Sequence, residues 1–152
     1  MREFTEADFD ELSFHDNLLR GVLLRSDDSG TSGTSDLILD IDHITEWVAA
    51  DGGYAWLIAA ADLTFHGVTG LKFGMDWHDE KYQVASGGDW ILNVSREPVV
   101  PQLVYLDRPY WRWDFSFAME TQLSFGAYGF TLRHRQDPVR HNEQSLPLAL
   151  RA

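Results

Sequence analysis

Across most of residues 18–135, apolar and polar side chains alternate with period two, and this pattern constrains the fold more than any other feature of the chain. A strand turns successive side chains to opposite faces, so alternation describes a sheet with one buried side. Candidate strands cover residues 18–25, 36–47, 54–68, 70–77, 89–95, 110–119 and 121–135. In DLILDIDHITEW (36–47), Leu37, Leu39 and Ile41 oppose Asp36, Ile38, Asp40 and Asp42. Residues 54–68 set Leu57, Leu63 and Phe65 against Asp62, Thr64 and His66, and GLKFGMDW turns Leu71, Phe73, Met75 and Trp77 inward. YWRWDFSFAM directs Trp111, Trp113, Phe115 and Phe117 to the core. Gly126 and Gly129 mark a bend where the inward parity passes from Leu123 and Phe125 to Phe130 and Leu132.

Parallel pairing would need crossover helices, and the sequence contains no segment with helical period long enough to supply them. The expected fold is therefore mainly β, an antiparallel sandwich or half-open barrel of about seven strands with one short N-terminal helix. That helix covers residues 5–12, opened by the Thr5 hydroxyl with Asp8 three positions on, and carries a stripe of Phe4, Phe9 and Leu12. SDDSGTSGTS (26–35) has the composition of a mobile hairpin loop. A single β domain over residues 1–135 and an extended or loose C-terminal tail over 136–152 complete the expected organisation.

Charge narrows the classes of partner. Twenty-four acids against twelve Lys and Arg give a net charge of −12, with eighteen acids and five bases in residues 1–90 but six and seven in residues 91–152. Such a field attracts a basic protein and disfavours nucleic acid or an anionic membrane. The absence of cysteine excludes disulfides, thiolate metal sites and cysteine nucleophiles. MREFTEADFDEL lacks the apolar run of a signal peptide, and no segment offers the ~20 apolar residues of a membrane span, so a cytoplasmic location and no cofactor are expected.

The chemical motifs meet their context with different success. Asp40-x-Asp42 after an apolar strand resembles the nucleophile strand of haloacid-dehalogenase-type phosphatases, but that chemistry needs a parallel α/β frame. As a calcium loop the same stretch would place Thr45 where an EF-hand requires glycine. His15-Asp16 and His78-Asp79 are His-Asp doublets, and a metal site could gather His15, Asp16, Asp42 and His66 by strand pairing. SFHDN (13–17) reads first as a joint between helix and strand, because His, Asp and Asn satisfy exposed backbone groups there. No G-x-S-x-G occurs, and SGTSG lacks the lysine of a phosphate loop. The acidic face of Asp36, Asp40 and Asp42 with Glu46 is the candidate partner-binding surface for Lys and Arg. Asp40 and Asp42 lie about 6.5–7 Å apart on one strand face, so they repel unless solvated or met by cations.

FHD (14–16), DLILDID (36–42) and DLTFHGVTGLKF (62–73) together resemble the F-H-D … L-x-F-x-x-V-x-x-L pattern of small acidic, mostly β bacterial proteins, some of them immunity proteins of polymorphic toxin systems. The resemblance covers about residues 13–75 and implies a non-enzymatic protein that inhibits a basic toxin or nuclease by binding it. The alternative expectation is a small-ligand- or metal-binding β-barrel, with hydrolysis as its candidate chemistry, built on His15, Asp16 and His66. An open antiparallel sheet also invites homo-oligomerisation through an edge strand.

Overall fold

The computed structural model describes residues 2–26, 35–75, 88–99 and 109–151. The loop expected over 26–35, Trp77 and the His78-Asp79 doublet fall largely or wholly outside the described residues. Ten strands are present among those described: β1 (Glu3–Thr5), β2 (Leu18–Ser26), β3 (Ser35–Ala50), β4 (Gly53–His66), β5 (Thr69–Gly74), β6 (Asp89–Pro98), β7 (Trp111–Phe117), β8 (Gln122–Ala127), β9 (Gly129–His134) and β10 (Val139–His141). All pair antiparallel, in the order β1-β9-β4-β3-β2-β6-β7-β8-β5, with β10 added to β4. The sheet is open, since its end strands β1 and β5 do not pair with each other.

The alternation builds the core as expected. Leu37, Leu39 and Ile41 of β3 sit in register with Phe65, Leu63 and Ala61 of β4, and all six are fully or almost fully buried. They share one cluster with Trp113, Phe115, Phe117, Leu123 and Phe125 from the other half of the sheet, so the two halves fold over a common interior. Phe65 is its hub, with ring centroids 4.7 Å from Phe125, 5.0 Å from Trp113 and 5.6 Å from Phe130. Such edge-to-face pairs add about 0.5–1.5 kcal/mol each beyond area burial.

SFHDN is where the two halves join. β2 pairs with β6 at Leu18↔Trp90 and Leu19↔Asp89, and the chain just before β2 extends that ladder, with Asp16 N donating to Ile91 O at 2.7 Å and Ile91 N donating to Asn17 O at 2.8 Å. Asp16 takes the left-handed conformation, φ 63°, that turns the backbone there. Asn17 is fully buried and its Oδ1 accepts from Ile44 N at 3.2 Å.

Four expectations are corrected. The strands number ten among the described residues, because 121–135 divides into β8 and β9 at Tyr128 and because β1 and β10, three residues each, are too short to show a period. The N-terminal helix is a 3-10 turn, Glu6–Glu11, with the Thr5–Asp8 capping box in place; six residues are too few to offset the nucleation cost of an α-helix. Phe73 is 42% exposed rather than inward, since β5 is the last strand of the order and its ladder to β8 is broken between Thr69 and Lys72. The segment from 136 onward is neither loose nor free of the domain: Val139 pairs with Ile58, and Leu146 is 1% exposed against Ile44 and Ile58 on the outer face of β3 and β4.

Candidate functional site

The acidic strand carries its charge toward the C-terminal segment. Asp40, Asp42 and Asp62 lie on the outer face of β3 and β4, with Asp40 and Asp62 in register, and three arginines meet them. Arg20 donates to Asp42 Oδ2 at 2.9 Å and to the Leu146 carbonyl. Arg151 bridges Asp42 Oδ1 at 2.9 Å and Asp40 Oδ1 at 2.6 Å, while Arg135 bridges Asp40 at 2.8 Å and Asp62 at 2.6 Å. Leu146 N donates to Asp42 Oδ2 at 2.9 Å. Three carboxylates and three guanidinium groups therefore cancel. Burial opposes the charge of Arg135, but Asp40 and Asp62 outweigh it and hold that guanidinium more firmly protonated than usual. For Arg151 burial prevails, helped by Arg20 and Arg135, and its affinity for the proton falls despite Asp42 and Asp40.

The four expected partner-binding residues thus separate. Asp42 is fully buried, so it presents nothing to a partner, and Asp40 is engaged by Arg135 and Arg151. Asp36 remains half-exposed beside His66, and Glu46 is exposed. The bulge between Ile44 and Glu46 moves Glu46 off the face that Asp40 and Asp42 occupy.

The expected metal ligands do not converge. His15 Nδ1 donates to the Leu92 carbonyl at 2.9 Å and its Nε2 lies 3.6 Å from Asp16 Oδ2, at the joint. His66 contacts Thr131 Oγ1 at 2.9 Å and Asp36 Oδ1 at 3.4 Å, on β4, and lines a shallow depression of about 320 Å³ with Arg25 and Arg133. Asp42 is enclosed by arginines. No group of three or more His, Asp or Glu suited to a metal occurs among the described residues.

Two histidines that the motifs did not single out are brought together instead. His43 of β3 and His134 of β9 face each other across β4 and the inner face, Nδ1 to Nε2 at 2.9 Å, with Phe4 packed edge-on to both. Burial lowers the His43 pKa to about 3, reinforced by His134 and Arg2 and opposed by the Ser13 backbone. Burial, Arg2 and the N-terminus lower that of His134 as well. The pair is neutral near pH 7, so it exchanges a hydrogen bond and carries no charge. His43 lines a cleft of about 260 Å³ together with Arg2, Phe4, Asp8, Glu11, Ser13 and Thr45. The one sequence signal was parity: His43 and His134 both fall on inward positions of their strands.

Asp89 was also missed. It is 2% exposed and accepts from Met119 N at 2.9 Å, Thr121 N at 3.3 Å and Thr121 Oγ1 at 2.5 Å, fixing the β7–β8 turn to the start of β6. Comparison with protein-family models, with curated proteins and with solved structures returns no match for this chain.

Proposed function

We propose that this chain is a non-enzymatic binding module for a basic protein, acting in the manner of an immunity-type inhibitor of a cationic toxin or nuclease. One observation carries the reading. The partly buried ionic cluster is balanced, three acids to three arginines, so it absorbs none of the net charge of −12. Apart from the buried Asp89, the acids outside the cluster that lie exposed among the described residues include Glu6, Asp10, Glu11, Glu46, Asp51 and Glu120. Of the four carboxylates inferred from the sequence, Asp36 and Glu46 remain available to a partner, on different faces of β3, because Asp40 and Asp42 serve the chain's own arginines. A surface of this sign steers a cationic protein toward it and repels the nucleic acid that such a protein would otherwise hold.

The test is capture from a lysate of the native host at graded salt, with the bound proteins identified by mass. A basic protein that elutes as salt rises from 50 to about 500 mM supports the reading. Recovery of only neutral or acidic proteins, or of binding indifferent to salt, refutes it.

A further inference from the structure

β3 and β4 outrun their neighbours. β2 leaves β3 at Asp42, β9 leaves β4 at Ala61, and β10 reaches only to Trp56, so residues 48–55 pair with one another alone among the described residues. This hairpin tip holds a row of aromatic rings on one face. Trp47 and Trp56 are cross-strand partners with centroids 5.6 Å apart, and Tyr54 lies 5.8 Å from Trp47. Trp47 is 47% and Tyr54 59% exposed. The row continues the outer-face cluster of Ile44, Ile58 and Leu146, which the C-terminal segment covers; the cover stops short of Trp47 and Tyr54.

The charge around this row has one sign. No Lys or Arg occurs between Arg25 and Lys72, and the turn at the tip carries exposed Asp51. Arg140 pairs with Leu57 and so projects from the opposite face to Trp56. An aromatic row with a carboxylate and no cation of its own is suited to a guanidinium, which stacks on indole and phenol faces while it pairs with an acid. The fold already uses the stacking half of this chemistry inside itself, where the Arg96 guanidinium lies 4.2 Å from the Trp111 ring centre and 4.6 Å from that of Phe9. We propose that the Trp47–Tyr54–Trp56 face of the β3–β4 hairpin is the docking point for an arginine-bearing segment of a basic protein partner, Asp51 supplying the counter-charge. The inference rests on the binding-module reading and locates its principal contact on the hairpin.

The probes are two peptides of equal charge, eight arginines and eight lysines, added to the full chain at 100 mM salt while the indole N–H signals of the six tryptophans are followed by NMR. The arginine peptide should bind at least fivefold more tightly than the lysine peptide, shifting the Trp47 and Trp56 signals and leaving that of buried Trp113 in place. Trp47→Ala/Tyr54→Ala should abolish the preference for arginine, and Asp51→Asn, which removes no apolar surface, should weaken arginine binding at least threefold. Equal binding of both peptides, unaltered by either variant, overturns the hairpin as docking point and leaves the acidic binding module standing. Failure of both peptides to bind overturns the two together.

Discussion

His134 meets His43 nitrogen to nitrogen at 2.9 Å, in a core where both residues are at most 3% exposed. One nitrogen of the pair donates and the other accepts, so both rings stay neutral in the folded protein, and each has a pKa below its ordinary value. In the unfolded chain both titrate near pH 6.5. The unfolded state therefore binds more protons below that pH, and the stability these histidines permit is complete above about pH 6.5 and lost as pH falls from there toward 3. Two such groups give a slope of at most about 2.7 kcal/mol per pH unit. Urea midpoints measured from pH 7.5 to pH 5 should drop steeply below pH 6.5; midpoints flat across that range would contradict the neutral pair.

The C-terminal segment is a structural member of the domain. Leu146→Ala removes the side chain that covers Ile44 and Ile58, and an unfolding cost of about 2–3 kcal/mol is expected. Asp42→Ala leaves Arg20 and Arg151 partly buried without their shared carboxylate, at a cost of about 3–5 kcal/mol. In both variants, limited proteolysis should cut within residues 136–151 sooner than in the parent chain. Unchanged midpoints and cleavage would show that the segment only rests on the sheet.

The joint between the two halves of the sheet tolerates no side chain at Gly88. Its φ is +148°, and a Cβ there would run into the Leu19 backbone carbonyl, which cannot swing away without breaking the two pairs that join β2 to β6. Gly88→Ala should destabilise the fold by about 2–3 kcal/mol in denaturant unfolding. A neutral effect would mean that the joint is not as tight as these contacts require.

Two phenylalanines in strands of similar pattern should behave differently. Phe65→Ala empties the hub of the aromatic core and should cost about 3–5 kcal/mol, whereas Phe73→Ala, on the exposed last strand, should stay within about 0.5 kcal/mol of the parent. Chemical denaturation of the two variants decides this.

That contrast marks what could be read from the sequence. Alternation identifies the two faces of a strand, and it placed Leu37, Leu39, Ile41, Trp113, Phe115 and Phe117 correctly because the interior on that side is continuous. It does not say whether a strand ends a sheet, which decides the fate of Phe73, nor whether another segment covers its polar face. Asp42 looked wet for this second reason: its partners Leu146 and Arg151 stand 104 and 109 residues away, in a polar stretch with no period of its own. The SFHDN joint was legible because His, Asp and Asn are residues that satisfy backbone groups between elements, although the groups they meet, Leu92 O and Ile44 N, stand 77 and 27 residues away; the His43–His134 pair depends wholly on the register of strands 91 residues apart.

The central claim is that the surface acid excess binds a basic protein, and the affinity of a captured partner as a function of salt tests it most directly. The account predicts a dissociation constant that rises at least tenfold between 50 and about 500 mM salt, with a smaller slope in the Asp36→Asn/Glu46→Gln variant. A constant affinity across that range, in the parent and the variant alike, would contradict it.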